Sequence, residues 1–310
     1  KPTRLLYRMV RDQSRIEDIV QDSFIKAYRA INNFRGDSAF YTWLYRIGVN
    51  TAKNHLVSLG RRPKAMDNLE IEDIENKWPN ELEGIGRNYV HMLSPILDKV
   101  CHNLKILDAV ESIIGKNILI CGTTLFIKNP NEKGFVSFHQ DAKYIGLEPH
   151  NWITAWIAVT DSNENNGCMR MWSGSHKKKL QKHNQKFDEG NLLTRGQTVE
   201  DVPIDKTTPI ALKAGQMSLH HPTIVHGSGL NRSNDRRIGF VIQSYIGSNV
   251  DQVLGKMYVQ QARGNDIQKF HEHTERPKKL MDPNQVQIRK KANEELSKIF
   301  YKDSTKKGKY

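Results

Sequence analysis

Apolar residues along the chain change their period about a quarter of the way in. From 16 to 34, Ile16, Ile19, Val20, Phe24, Ala27, Tyr28, Ile31 and Phe34 recur at three and four residues, the spacing of one helix face, and Ser14 with Glu17 forms a capping box at its start. A second run, AFYTWLYRIGVNTAKNHLV (39–57), predicts another helix, capped by Asp37 or Ser38 and ended by the basic turn GRRPK. The acidic stretch 66–79 reads as a linker. Farther on, the period shortens to two. In GFVSFHQD (134–141), alternation puts Ser137, His139 and Asp141 on one face of a strand and Val136, Phe138 and Gln140 on the other. PTIVHGS (222–228), as a second extended segment, puts Ile224, His226 and Ser228 on a common face, and RIGFVIQSY (237–245) puts Arg237, Gly239, Val241 and Gln243 together. A last helical run (284–301) packs Val286, Ile288, Leu296, Ile299 and Phe300, ahead of a solvated basic tail. The pattern divides the chain into a helical domain (1–65), a linker (66–79) and a domain built mainly of strands (80–310).

Composition sharpens this division. A length of 310 residues allows about two domains, and 37% hydrophobic residues suffice for a core in the larger one. Residues 1–65 hold 13 Lys+Arg against 5 Asp+Glu, and 276–310 hold 11 against 4, so the ends are +8 and +7 and the remainder of the +13 chain is near −2. A basic N-terminal domain suits a nucleic-acid or polymerase surface. Its second helix interleaves Phe40, Tyr41, Trp43 and Tyr45 with Arg35, Arg46 and Lys53, which suits stacking on unpaired bases beside a phosphate backbone; a small aromatic helix core is the alternative. No run approaches the roughly 20 apolar residues of a membrane span, and no signal peptide opens the chain. Cys101, Cys121 and Cys168 are odd in number and lack metal-ligand spacing, so they read as buried thiols in a reducing cytoplasm.

The chemistry concentrates in the second domain. His139 and Asp141, answered downstream by His226, supply two imidazoles and a carboxylate, a set that holds one face of a non-haem Fe(II) ion and leaves its other positions open. The remaining histidines take ordinary roles. Alternation would put His220 rather than His221 on the face of His226, but a turn at Pro222 is expected to break it; His176 sits in a solvated turn, and His271 and His273 lie in a charged surface segment.

Residues about 85–310 resemble the phytanoyl-CoA dioxygenase family of Fe(II)/2-oxoglutarate oxygenases through FIKNP (126–130), SFHQD (137–141), TAWIAVTDSNENNGCMRMWSGSHK (154–177), LKAGQMSLHHPTIVHGSG (212–229) and NRSNDRRIGF (231–240). The resemblance implies a mainly β fold, a double-stranded β-helix (jelly-roll) with flanking helices. It implies that His139, Asp141 and His226 bind iron, and that Arg237, eleven residues after the distal histidine, grips the far carboxylate of 2-oxoglutarate. A planar guanidinium does this bidentately without losing its charge. Ser228 and Trp156 fall where the family lines its cosubstrate pocket. With O2 as the other cosubstrate, the implied reaction is hydroxylation of a small-molecule or acyl substrate coupled to decarboxylation of 2-oxoglutarate to succinate, with no catalytic residue beyond the iron site. Asp141 favours hydroxylation, because related halogenating enzymes carry a small residue at that position. The segments 144–151 and 177–209 are candidate mouth loops.

The first domain carries a second resemblance. DIVQDSFIKAYRAINNFRGDSAFYTWLYRIGVNTAKNHLVSLGRRP (18–63) is similar to region 2 of extracytoplasmic-function sigma factors of the sigma-E type. That implies a small, partial all-α domain over 4–64, in which residues 18–29 dock on RNA polymerase and FRGDSAFYTWLYRI (34–47) captures the melted promoter −10 strand. Both regions are shorter than in their families and meet at 66–79. A chimeric gene is therefore expected, with a sigma-like transcription protein or an inactive jelly-roll as the alternative functions.

Overall fold

The structure is a computed structural model that describes residues 13–31, 34, 36, 39–60, 69–193, 195–302 and 304. The chain forms two compact units, 1–65 and 66–310.

In the first unit, helix α1 (Gln13–Ala30) packs on α2 (Phe40–Gly60). Small residues make the contact: Ser23, Ala27 and Thr51 are buried, and a Cβ on Gly48 would meet Ser23 Oγ at 3.9 Å. Phe24, Ile25, Tyr28 and Ile31 stay exposed, so the packed face of α1 is displaced from the apolar stripe expected of it. Close approach of two short helices favours small side chains over bulky ones at the crossing.

The second unit begins with α3 (Leu69–Lys77), inside the stretch expected to be a linker. Ile71 and Ile74 are three residues apart and buried, Ile71 within the main core, while Glu75 accepts from the Arg236 guanidinium at 2.6 and 3.1 Å. The acidic count hides a short amphipathic helix that belongs to this unit. Next come α4 (Pro95–Cys101), whose N-cap Ser94 accepts from Leu97 N, and α5 (Leu104–Ile114), capped by Asn103; α6 (Ala142–Ile145) and α7 (Pro283–Phe300), capped by Asp282, follow later.

The strands in chain order are β1 (Ile118–Ile120), β2 (Thr123–Lys128), β3 (Val136–His139), β4 (Leu147–Glu148), β5 (Trp152–Ala158), β6 (Met169–Trp172), β7 (His183–Gln185), β8 (Gln197–Val199), β9 (Thr207–Ile210), β10 (Met217–His220), β11 (His226–Ser228), β12 (Arg237–Gly247), β13 (Asp251–Gln252), β14 (Tyr258–Arg263) and β15 (Glu272–His273). One sheet runs β10-β5-β12-β1-β14-β15, with β2 also on β12, and a smaller sheet runs β3-β11-β6-β9. β4 pairs with β13 and β7 with β8, and all pairings are antiparallel except β14 with β15. This is a jelly-roll.

Alternation assigns the two faces of the large sheet. Ile153, Ala155 and Ile157 of β5 and Ile238, Phe240 and Ile242 of β12 pack with Leu97, Cys101, Leu107 and Val110 of α4 and α5. The opposite residues, Trp156, Ala158 and Val241, join Met169 and Met171 of the small sheet. The face that carries Arg237, Val241 and Gln243 therefore lines the interior, as expected from the spacing. All three cysteines are free and buried. His271, expected at the surface, is buried with Nε2 2.8 Å from the Val250 carbonyl; His273 is exposed beside Asp266.

Candidate active site

The antiparallel register of β3 and β11 sets His226 directly across from His139, with ring centroids 4.3 Å apart. A Cβ on Gly227 would meet the Val136 carbonyl at 2.9 Å, so the close approach of these strands depends on glycine there. The extended segments are shorter than their spacing predicts. β3 stops at His139, and Asp141 takes helical backbone angles (φ −57°, ψ −39°) at the head of α6. Its carboxylate is delivered by a turn into a helix, not by strand alternation. Likewise Ile224 N donates to the His221 carbonyl in a turn, and only 226–228 are extended, so Ile224 does not share a strand face with His226.

The three side chains still converge. Asp141 Oδ1 lies 3.3 Å from His139 Nε2 and 3.8 Å from His226 Nε2, and one donor atom from each residue falls within 4.8 Å of the others. His139 Nδ1 is 2.9 Å from the Ser137 carbonyl and His226 Nδ1 3.1 Å from the Ile224 carbonyl. Each carbonyl accepts a hydrogen bond from Nδ1–H, which turns an Nε2 lone pair toward the carboxylate. Burial, then His139, pushes His226 down to about 3, so it is neutral and available as a ligand. Burial alone would raise Asp141, but contacts with His226, His139 and His220 outweigh it and hold the carboxyl well below its usual range. Gln140, between the two, is buried: its amide donates to the Thr223 carbonyl at 2.6 Å and accepts from Gln181 N at 2.7 Å, and its own N–H donates to His183 Nε2 at 3.0 Å. It ties the insertion after residue 177 to the site.

Beside the triad lies a buried anion pocket. Arg237 is 2% exposed, its Nε has no hydrogen-bond partner, and no carboxylate pairs with it among the described residues. Lys128 sits directly opposite on β2, in register with Arg237. Its Nζ donates to Ser228 Oγ at 2.7 Å and to the Gly167 and Gly229 carbonyls. Like charges facing across strands destabilise a sheet unless something intervenes. Burial and Arg237 push Lys128 down to about 6, and burial pushes Arg237 down to about 10. The Trp156 indole lies 5.3 Å from the guanidinium carbon and fills the space left by Gly239. Triad and pocket open into one cavity of about 130 Å³.

Residues 51–239, more than half of the chain, match the family model of phytanoyl-CoA dioxygenase (PhyH). The chain belongs to the phytanoyl-CoA dioxygenase family. Among solved structures, the apo form of a non-heme monooxygenase, ThoJ, superposes with a TM-score of 0.66 at 27% identity, covering 75% of this chain and 87% of that one. A ThoJ–Ni complex gives 0.61 at 25%, covering 74% and 86%. Residues 3–62 match sigma-70 region 2. The RNA polymerase sigma-H factor of Pseudomonas aeruginosa is 62% identical over 71 residues, 23% of this chain and 36% of the relative; the ECF RNA polymerase sigma-E factor of Escherichia coli K12 is 64% identical over 63, 20% and 33%. The chain thus spans about a third of the length of these sigma relatives.

In this family member the fold gathers five of the residues singled out by sequence around one cavity: His139, Asp141, His226, Ser228 and Arg237, with Trp156 forming a wall. Three further neighbours join them. His220 lies 3.6 Å from Asp141 Oδ2 and 4.7 Å, centroid to centroid, from His226; it is buried and neither ring nitrogen has a hydrogen-bond partner among the described residues. The expected turn at Pro222 does form, but β10 has already placed His220 opposite Thr154 of β5, so both face Asp141. Lys128 was hidden because its partner strand lies over a hundred residues away. Thr154 Oγ is 3.0 Å from Asp141 Oδ2 and 2.8 Å from the Gln243 carbonyl.

The nucleic-acid candidates of the first unit are placed on α2. Phe40, Tyr41 and Arg46 are exposed, and Trp43 and Tyr45 half-buried. Phe40 and Trp43 cluster with Phe34 at 5.1–5.7 Å, and Tyr41 stacks on Tyr45 at 6.5 Å. Arg35 and the Lys53 side chain lie outside the described residues.

Proposed function

We propose that the 66–310 unit is an Fe(II)/2-oxoglutarate-dependent dioxygenase that hydroxylates a small molecule. The observation that carries this reading is the convergence of His139, Asp141 and His226 beside a buried guanidinium that lacks an acidic partner among the described residues. The donor set suits non-haem Fe(II), and the orphaned Arg237 Nε suits the far carboxylate of a dicarboxylic 2-oxo acid. When bound, iron and 2-oxoglutarate supply the oxidising chemistry: activation of O2 coupled to decarboxylation of the 2-oxo acid to succinate.

The protein's own groups prepare the site. The Ser137 and Ile224 carbonyls fix the imidazole tautomers, and Thr154 and His220 stand at Asp141 Oδ2, leaving Oδ1 toward the histidines. Arg237, Lys128 and Ser228 form a polar end wall for the distal carboxylate. Trp156 and Val241 exclude water around it, which strengthens the charge pairing. The family name and the likeness to a non-heme monooxygenase support the same chemistry. Incubation with Fe(II), 2-oxoglutarate and O2 should release succinate slowly without added substrate, and Asp141→Ala should abolish it. No succinate above the metal-free control would oppose the assignment.

A second reading concerns the first unit alone. Its likeness to sigma-E and sigma-H factors, with exposed Phe40 and Tyr41 beside Arg46, supports contact with RNA polymerase or the −10 promoter strand. Stacking beside cations predicts binding to single-stranded −10 DNA that weakens with salt. No binding at low salt would sink it. Among the described residues no helix is long and apolar enough to cross a membrane, and we place the protein in the cytoplasm on its three free, buried thiols.

A further inference from the structure

Besides Arg237, the cavity is lined by Arg87 and Arg195, which the iron and cosubstrate assignments do not use. Arg195, in the insertion after residue 177, is 7% exposed and lines the same cavity as the triad. Its guanidinium lies 4.5 Å over the ring of Tyr144, which projects from α6 just after Asp141. Nη1 donates to the Phe300 carbonyl at 3.2 Å, and with the Gln185 amide turned so that its oxygen faces the guanidinium, the orientation that satisfies both groups, Nη2 and Nε donate to that oxygen at 2.9 Å each. Every partner is neutral, and no carboxylate lies within ion-pair distance among the described residues. A guanidinium carries five N–H donors, and these contacts use three.

Burying a cation among neutral groups is costly, and proteins ordinarily offset that cost with an anion. The cavity wall provides none. Asp141 is its single acidic lining residue among those described, and that carboxylate belongs to the metal triad. Arg237 stands against Trp156 on β12, whereas Arg195 stands against Tyr144 and the end of α7, so the two occupy different walls. One negative group can be met by the cosubstrate at Arg237. The other must come from a different molecule.

We propose that Arg195 is the anchor for a carboxylate of the primary substrate, and that the enzyme therefore acts on small carboxylic acids. The unused N–H donors and the Tyr144 face form a flat, cationic seat in which a planar carboxylate is held bidentately. This rests on the oxygenase reading of the cavity.

The test uses the full chain, anaerobic, loaded with Fe(II) and 2-oxoglutarate, and titrated with matched probes: phenylpropanoate against phenylpropanamide, and hexanoate against hexanamide. The visible metal-to-ligand band reports the loaded site, and ligand-observed NMR reports probe binding. Each acid should bind at least about tenfold tighter than its amide. Arg195→Gln should erase that preference, and Arg195→Lys, which keeps the charge but loses the fork, should retain part of it. Equal binding of acid and amide, a preference that survives in Arg195→Gln, no binding of any acid at millimolar concentration, or bleaching of the band as the acid displaces 2-oxoglutarate would each overturn the proposal. Should Arg195→Gln fail to fold, the wild-type pairs and Arg195→Lys still decide. Absence of the band in wild type would instead overturn the oxygenase reading, and this proposal with it.

Discussion

Gly239→Ala is a one-carbon change that should cripple the cosubstrate pocket while sparing the metal ligands. A Cβ built there falls 2.1 Å from Trp156 Cζ2 and 2.5 Å from Cε2, against a normal carbon–carbon separation of about 3.5 Å or more. The indole must move by more than an ångström or β12 must bow away from β5, to which Gly239 is paired at Ala158. Overpacking of this kind costs about 1–3 kcal/mol of stability. Displacing the indole also removes the surface behind Arg237, and misplacement of a binding group by about 1 Å can cost roughly a hundredfold. The expected result is 2-oxoglutarate affinity down by about ten- to a hundredfold, with Fe(II) affinity little changed, because the three atoms nearest that Cβ all belong to Trp156 and none to a triad residue. Anaerobic titrations of metal and then cosubstrate separate the two, and thermal unfolding gives the stability term. Adding Trp156→Leu should relieve the clash and recover stability in a double-mutant cycle. Wild-type cosubstrate affinity and stability in Gly239→Ala would refute the packing argument.

Lys128→Met should weaken 2-oxoglutarate binding by about 1–3 kcal/mol, the cost of losing a charged hydrogen-bond partner. Because Lys128 titrates near 6 when the pocket holds no anion, a bound dianion should raise that value; wild-type binding then takes up a proton above about pH 6 and tightens as pH falls toward it, and calorimetry in buffers of different ionisation enthalpy should show no such uptake in Lys128→Met. His220→Phe keeps the ring volume but removes the nitrogens facing Asp141, so Fe(II) affinity should fall by about ten- to a hundredfold without loss of fold; unchanged metal titration would count against a role at Asp141. His91 is buried, and burial, then His102 and Arg289, push it down to about 3. It folds neutral, whereas the unfolded chain protonates it below the ordinary histidine value of 6.5, so its contribution is complete above that pH and is lost as pH falls toward 3. Chemical denaturation should show stability falling by about 1.4 kcal/mol per pH unit for such a group, and His91→Asn should flatten the slope.

How much of this is legible in the residues depends on the distance over which each feature is set. The faces of β5 and β12 follow from alternation within one strand, and so the company of Arg237, Val241 and Gln243 is readable locally. Element ends are not: Asp141 reads as strand because Val136–His139 alternates, yet Gln140 is held by Thr223 and Gln181 and the chain turns into α6. The linker reading of 66–79 failed because five acidic residues outweigh two isoleucines by count, although those two are three apart and decide the packing. Register is the deepest gap. That Lys128 faces Arg237, and His220 faces Thr154, depends on pairing between distant strands, which no local pattern specifies.

The central claim is that His139, Asp141 and His226 hold iron beside a pocket for 2-oxoglutarate. Anaerobic addition of Fe(II) and then 2-oxoglutarate to the purified chain, followed by visible absorption, tests it most directly. The account predicts a metal-to-ligand band in wild type that is lost in Asp141→Ala and requires far more 2-oxoglutarate in Arg237→Ala. A folded wild-type protein that develops no band, or an equal band in Asp141→Ala, would contradict it.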